Sequence, residues 1–236
     1  MARDRLWVLL VVATLALLAW ADLLAMGGME DPTAGWSWTH FAAVLAMWVV
    51  MMAAMMIPSA LPAILLFQSL RRTFPGPATL ETLAFSGGYV ATWTGFSVLA
   101  AGAQGMLAHA TLLTPAMASA SVWLTALLFG LAGIYQFSKL KNACLAHCRS
   151  PAQFIMEHHR KGVPGAFLTG AHHGVYCVGC CWALMLLLFA VGVMNLAAVA
   201  AITALVLFEK TLPAGPRLAA GSGVALVLIG AAFILA

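Results

Sequence analysis

The segment that decides the fold reads MWVVMMAAMMIP and runs from Met47 to Pro58. It lies within an uncharged apolar run over residues 41–69, which exceeds the roughly 20 residues that a helix needs to cross a bilayer core. The run is apolar on all sides, whereas the strands of a membrane β-barrel alternate lipid-facing and lumen-facing residues. The segment therefore predicts a transmembrane helix.

Similar apolar runs recur along the chain, and the composition agrees with them. Of the 236 residues, 64% are hydrophobic and 8% are charged, with a mean hydropathy of +1.00. A soluble domain of this length could not bury so much apolar surface. The sequence predicts an all-α protein, a polytopic transmembrane helical bundle of about seven spans that forms one membrane domain over residues 1–236. The predicted spans cover residues 6–26, 41–69, 82–108, 117–139, 171–191, 193–209 and 218–236.

The first predicted span has a second interpretation. Arg3 and Arg5 precede a short apolar run that ends in Ala19-Trp20-Ala21, a pattern typical of a signal-peptidase site. Cleavage there would leave six spans. The orientation of the remaining spans would not change.

The charges of the connecting segments predict that orientation. Every Lys and Arg falls on one side of the predicted membrane, and the opposite connections are acidic or uncharged. The positive-inside rule places the N-terminus, a loop at about residues 140–170 and the 209–217 link in the cytoplasm. The pI of about 9.0 reflects this topology, so we expect the lipid bilayer as a partner and no nucleic acid.

The five cysteines form two clusters, Cys144-x3-Cys148 and Cys177-x2-Cys180-Cys181. The cytoplasm keeps thiols reduced, so clustered thiols on that side favour metal binding over structural disulfides. In a helix, residues four apart share a face, and these spacings with neighbouring histidines are typical of side chains that converge on one metal ion. The candidate ligands from this part of the chain are Cys144, Cys148, Cys177, Cys180, Cys181, His172 and His173.

The methionines of residues 47–58 form a second sulfur-rich element. Met51 and Met55 share a helix face, and Met56 flanks them. Thioether sulfur suits Cu(I), so these three residues are predicted to form a ladder along which Cu(I) passes. For both elements the alternative is packing, because cysteine acts as a small hydrophobe and methionine fills gaps between helices.

Depth in the membrane links the two elements. At 1.5 Å of rise per residue, Met56 lies about 21 Å from the cytoplasmic end of its span, and Cys177 and Cys181 lie about 12 and 18 Å from the same side. These depths allow the two sulfur groups to be neighbours.

Two local features concern the cytoplasmic side. Ser150 and Pro151 match an N-cap and a first-turn proline, which predicts a short helix from Pro151 to Arg160. Glu209 and Lys210 are predicted to form an ion pair at a helix end. Small residues predicted to permit close helix packing are Gly87, Gly88, Gly130 and Gly133.

Several spaced strings occur in one order along almost the whole chain. They are Met51 to Pro58, Gly88-Tyr89 with Trp93, Tyr135-Gln136 through Lys139, Lys141, Cys144, Cys148 and Arg149, Gly179-Cys180-Cys181-Trp182, Gly192-Val193-Met194-Asn195 and Glu209-Lys210. On these strings the chain resembles a bacterial family of predicted metal-binding integral membrane proteins, a domain of unknown function sometimes labelled copper chaperone. The resemblance implies a metal-binding integral membrane protein, and with the predicted spans we expect a multi-pass protein of the bacterial inner membrane.

The leading functional hypothesis is that the protein binds Cu(I) and passes it across or within the inner membrane, to or from a partner protein such as a cuproenzyme under assembly. The cysteines would be the thiolate ligands, with His172 or His173 as secondary ligands or proton acceptors. The sequence contains no phosphate-binding loop of the G-x4-G-K-[ST] type, so we expect no ATP hydrolysis of its own.

Two other classes stay open. One is an enzyme, a membrane thiol–disulfide oxidoreductase in which Cys177 and Cys180 exchange electrons with a quinone or a partner disulfide, with Lys139 or Lys141 lowering a thiol pKa. The other is a structural or transport protein whose cysteines only pack. Zn²⁺ or an iron–sulfur cluster is an alternative to Cu(I), although the methionines favour copper.

Overall fold

The computed structural model describes residues 37–73, 76–114 and 117–235. The first predicted span and its signal-peptidase site lie outside these residues. The described residues fold into α-helices without any β-strand, which confirms the all-α prediction. The helices are α1 (Trp38–Arg71), α2 (Ala78–His109), α3 (Val122–Tyr135), α4 (Lys139–Arg149), α5 (Pro151–His158), α6 (Gly162–Val191), α7 (Leu196–Thr211) and α8 (Gly215–Leu235).

Three of these helices are long and apolar enough to cross a membrane, namely α1, α6 and α8. Within the described ranges this number is lower than the sequence predicted. The apolar α3 has 14 residues, so it extends over only about 21 Å, and α7 has 16 residues. α2 has 32 residues, but glycines and hydroxyl residues such as Gly87, Gly88 and Thr92 lower the hydropathy of its sequence. By length or composition, three of the predicted spans therefore fall short of this criterion.

α6 packs most extensively against α2, and the two helices run parallel. Glycines bring their backbones together, because Gly88 lies against the Phe167 carbonyl and Gly170 lies against the Phe85 carbonyl. A Cβ atom at either glycine would collide with backbone rather than with a flexible side chain. This contact fixes α2, which carries Tyr89, relative to the second cysteine cluster on α6.

α3 and α8 form the other extensive helix pair, and they run antiparallel. Gly133 faces the backbone of Gly223 across this pair. Of the four glycines predicted to permit close packing, Gly88 and Gly133 lie against a neighbouring backbone. A Cβ atom at Gly87 or Gly130 would meet only an ordinary contact or open space.

The predicted loop at about residues 140–170 contains two short helices. The Ser138 hydroxyl accepts a hydrogen bond from the Lys141 N–H and so caps the start of α4. α5 begins at Pro151 as predicted, but it ends at His158, and the Ser150 side chain makes no capping hydrogen bond. α4 packs against α6, which brings the first cysteine cluster to the second.

Arg149 ties the end of α4 to the link between α7 and α8. Its guanidinium donates hydrogen bonds to the carbonyl oxygens of Glu209, Leu212 and Pro213. Two basic connections that are far apart in sequence therefore lie side by side. This contact also sets the position of Cys148, the residue that precedes Arg149.

Candidate metal centre

The second cysteine cluster lies in the interior of α6. Cys177, Cys180 and Cys181 are each 1% exposed. The thiols of Cys180 and Cys181 donate to the Cys177 carbonyl oxygen at 3.1 and 2.9 Å. The helix thus presents three sulfur atoms within one turn, shielded from water.

The first cysteine cluster approaches from α4. The Cys148 Sγ atom lies 3.9 Å from the Cys180 Sγ atom, and Cys148 is half-buried. Cys144 is buried one turn earlier and packs against Gly179 of α6. A Cβ atom on Gly179 would lie 2.7 Å from the Cys144 Sγ atom, so a glycine is needed for this approach.

A methionine of α1 completes the sulfur group. The Cys181 Sγ atom lies 4.0 Å from the Met56 Sδ atom, so the structure brings the cysteine and methionine elements into contact. Met51 and Met55 are fully buried in the same helix. Met52 and Met56 line a narrow crevice with Tyr89 and Trp93, too small to hold a water molecule.

The polar partners of Cys177 were not found by sequence reasoning. The ammonium group of Lys210 lies 2.9 Å from the Cys177 Sγ atom and 2.9 Å from the Ser59 Oγ atom. The Tyr89 hydroxyl lies 3.0 Å from the same sulfur. Their sequence signals were Gly88-Tyr89 and Glu209-Lys210, two of the strings that carry the family resemblance, but neither string identifies Cys177 as the partner.

The predicted ion pair between Glu209 and Lys210 is wrong. Consecutive residues of a helix point about 100° apart, and here they face different neighbours. Glu209 pairs with Lys141 at 2.6 Å and accepts a hydrogen bond from Gln136 at 2.9 Å. Lys141, considered above as a residue that lowers a thiol pKa, is therefore paired with a carboxylate, and the lysine that contacts a thiol is Lys210.

The two candidate histidines lie in different surroundings. His173 is buried among the rings of Phe85, Tyr89 and Phe154, and its Nδ1 atom has no hydrogen-bond partner within the described part of the chain. His172 is half-buried in a group of rings that shares Phe154 with His173, and its ring centre lies 4.5 Å from that of His158. That group also contains His147 and Tyr176. Of the two candidate histidines, His173 is the one that contacts Tyr89, a partner of Cys177.

The thiols of α4 are held in the neutral form. Burial and, to a smaller extent, Cys180 raise the pKa of the Cys144 thiol. Hydrogen bonding with Cys177 and Cys180 raises the pKa of the Cys148 thiol further above its usual value. Because a metal ligand must be a thiolate, binding of an ion at these residues has to displace protons.

The described residues contain no group of three or more His, Cys, Asp or Glu side chains arranged to hold a metal ion. Two sulfur–sulfur contacts join neighbouring helices, at 3.9 Å for Cys148 with Cys180 and at 4.0 Å for Cys181 with Met56. With metal–sulfur bonds of about 2.3 Å, two sulfurs on one ion lie at most about 4.6 Å apart, and both pairs satisfy this limit. Paired soft ligands suit an ion of low coordination number better than tetrahedral zinc.

One known protein family matches the chain. No curated protein and no solved structure matches the chain. A family model described as "PpoB2: Copper chaperone" matches residues 45–233, which include every cysteine and the methionine-rich part of α1. The resemblance drawn from the sequence strings is thereby confirmed. This chain belongs to the PpoB2 family of copper chaperones.

Proposed function

We propose that the protein is an integral membrane chaperone that binds Cu(I) through paired sulfur atoms and hands it between its cysteines and the methionines of α1. The observation that carries the proposal is the group of sulfur atoms from three helices. Cys148 of α4 meets Cys180 of α6, and Cys181 of α6 meets Met56 of α1. Membership of a copper chaperone family supports copper as the cargo.

The chemistry of these ligands selects for soft ions. Thiolate and thioether sulfur bind Cu(I) strongly, and thioether sulfur binds hard divalent cations poorly. A relay also needs sites of similar kind within short reach, so that an ion gains a new ligand before it loses an old one. Sulfur pairs at 3.9 and 4.0 Å satisfy that condition.

Exposure suggests where the ion is exchanged with a partner. Cys148 is half-buried, whereas Cys177, Cys180 and Cys181 are buried. Cys148 would therefore exchange Cu(I) with a donor or acceptor protein. Inward transfer would pass through the α6 thiols to Met56, and then along the buried residues Met55 and Met51 of α1. His173, close to Tyr89, would serve as a secondary ligand or proton acceptor.

The protein would lie in the bacterial inner membrane. α1, α6 and α8 would cross the bilayer together with α7 and the predicted span over residues 6–26, and the N-terminus would lie in the cytoplasm. The positive-inside rule supports this orientation, because the basic residues share one side of the predicted topology. The contact of Arg149 with the α7–α8 link is consistent with it, since it joins two of the basic connections.

The test is a Cu(I) titration of the full-length protein, purified reduced and without oxygen, against a chromophoric Cu(I) chelator. The comparison is a variant in which Cys144, Cys148, Cys177, Cys180 and Cys181 are all replaced by Ser. We expect stoichiometric Cu(I) binding that the variant loses. Met56→Leu should weaken binding several-fold, whereas Met156→Leu, at a residue 71% exposed, should have no effect.

Absence of copper uptake by the wild-type protein would overturn the proposal. If the cysteines instead cycled between thiol and disulfide when a quinone was supplied, the oxidoreductase hypothesis would replace it. In that case Cys180→Ser would abolish activity, while Met51→Leu and Met55→Leu would leave it intact.

A further inference from the structure

Lys210 is a buried cation that contacts a sulfur atom. The residue is 7% exposed, and its Nζ atom donates to the Cys177 Sγ atom and to the Ser59 Oγ atom, each at 2.9 Å. The Ser59 hydroxyl carries no charge and itself donates to the Met56 carbonyl oxygen. Burying an unpaired ammonium group costs several kcal/mol, so Lys210 needs an anion beside it.

The carboxylates of the described chain are engaged elsewhere. Its acidic residues are Glu81, Glu157 and Glu209. Glu81 pairs with Arg71, Glu209 pairs with Lys141, and the exposed Glu157 accepts a hydrogen bond from Gln153. Among the described residues, the anion available to Lys210 is therefore the thiolate of Cys177, and the Tyr89 hydroxyl lies 3.0 Å from the same sulfur.

The ammonium group of Lys210 beside the Cys177 thiolate determines the net charge of the site that an ion would enter. An ion held by the Cys177 thiolate and one further thiolate, from Cys148 or Cys180, shares the site with the positive charge of Lys210. A monovalent ion brings the sum of two thiolates, one ammonium and the ion to zero. A divalent ion leaves a net positive charge in a buried site, which is unfavourable where water is excluded.

A third thiolate would restore neutrality for a divalent ion. Within residues 37–73, 76–114 and 117–235, however, no group of three Cys or His side chains is arranged to hold one ion. The neutral thioether of Met56 can add a ligand without adding charge. The geometry therefore favours a site with few ligands and a small negative charge.

We propose that Lys210 determines specificity, by selecting a monovalent soft ion over a divalent one at the Cys177 site. The inference rests on the proposed function, because it concerns the ion that the sulfur group binds. It adds a reason why copper would be taken in its Cu(I) state and why Zn²⁺ would be rejected. Lys210 acts here through charge alone and is not a ligand.

The experiment measures affinities for both ions in the full-length protein. Cu(I) and Zn²⁺ are each titrated without oxygen against a chromophoric chelator, and the ratio of the Zn²⁺ affinity to the Cu(I) affinity is compared between variants. Lys210→Met removes the charge and keeps an unbranched side chain. Lys210→Arg keeps the charge. Lys139→Met removes a charge at an exposed position as the matched control.

We expect Lys210→Met to raise this ratio by at least about tenfold. Removing the positive charge of Lys210, a few Å from the bound ion, favours divalent Zn²⁺ more than monovalent Cu(I). Lys210→Arg and Lys139→Met should keep the wild-type ratio. An unchanged ratio in Lys210→Met would overturn the inference. If both affinities fell equally, Lys210 would have a structural role.

A second variant covers the case in which Lys210→Met does not fold. Lys210→Gln is uncharged and can still donate to the Ser59 hydroxyl, and the same rise in the ratio is expected of it. Wild-type protein that binds no Cu(I) would overturn both this inference and the proposed function. Wild-type protein that binds Cu(I) through its cysteines, with a ratio independent of Lys210, would overturn the inference alone.

Discussion

The Sγ atom of Cys148 lies 3.9 Å from the Sγ atom of Cys180, although the two residues are 32 positions apart in the chain. α4 carries the first and α6 carries the second, and α5 lies between them in sequence. The two cysteine clusters that are separate in sequence thus form one group of thiols. Because this contact joins a half-buried residue to a buried one, it links the surface of the protein to its interior.

If Cys148 and Cys180 bind the same ion, their substitutions should not be additive. We expect Cys148→Ser and Cys180→Ser each to lower the Cu(I) affinity by at least about tenfold, and the double variant to be little worse than either single one. Chelator competition at one pH measures all three. Losses that simply add would show that the two thiols act at different sites.

Binding should strengthen as the pH rises. The raised pKa values of Cys144 and Cys148 mean that these thiols are protonated near neutral pH in the metal-free protein. Low pH therefore opposes formation of the thiolates, and high pH favours it. For each proton displaced, the apparent Cu(I) affinity should rise by up to about tenfold per pH unit below the thiol pKa.

The measurement is the Cu(I) affinity between about pH 6 and pH 8, in wild-type protein and in Cys148→Ser. The variant has one fewer thiol to deprotonate, so its slope against pH should be smaller. An identical slope in both proteins would mean that Cys148 gives up no proton when the ion binds.

Gly179 tests the packing between α4 and α6. Alanine normally stabilises a helix by about 1 kcal/mol relative to glycine, but here its Cβ atom would lie 2.7 Å from the Cys144 Sγ atom. We therefore expect Gly179→Ala to lower the free energy of unfolding by about 1–3 kcal/mol. Thermal unfolding in detergent measures the change.

The control is the same substitution in a Cys144→Ala background. Without the sulfur atom, the nearest side-chain atom is the Cys144 Cβ atom at 3.5 Å, which is an ordinary contact. Gly179→Ala should then be neutral or stabilising. A destabilisation that persists in this background would point to a cause other than Cys144.

Glu209 is expected to matter for stability through Lys141. The two charges are buried, with side-chain exposures of 2% and 0%, and they lie 2.6 Å apart. Glu209→Gln would leave the Lys141 ammonium without its counter-charge, and we expect a loss of about 3–5 kcal/mol in the free energy of unfolding.

The matched control is Glu157→Gln, at an exposed position, where the expected change is within about 0.5 kcal/mol. Replacing both Glu209 and Lys141 by uncharged residues should cost less than Glu209→Gln alone. Equal stability of Glu209→Gln and Glu157→Gln would show that the pair contributes little.

The sequence was informative where a local rule applied. Composition and apolar runs predicted an all-α protein, and the rise of a helix predicted that Met56 and Cys181 could be neighbours. The start of α5 at Pro151 followed from the preference of proline for the first helical turn. Each of these inferences depends on a few consecutive residues or on a single helix.

It was misleading where the partner lies on another helix. Lys210 has Glu209 beside it in sequence, yet it points to Cys177, 33 residues away, while Glu209 pairs with a lysine 68 residues away. Such pairings depend on how α4, α6 and α7 pack, which charge and spacing alone do not encode. The span count failed for a related reason, since an apolar run of sequence does not fix where a helix such as α3 begins and ends.

The three hydrogen bonds from Arg149 to the α7–α8 link have a consequence for the cost of binding. Arg149 follows Cys148, and one of the carbonyls that it contacts belongs to Glu209, which precedes Lys210. The thiol proposed to meet an incoming ion and the ammonium proposed to balance its charge are therefore both held in place by one guanidinium. Because these groups are ordered during folding, a bound ion would find a preorganised site and would lose little affinity to rearrangement.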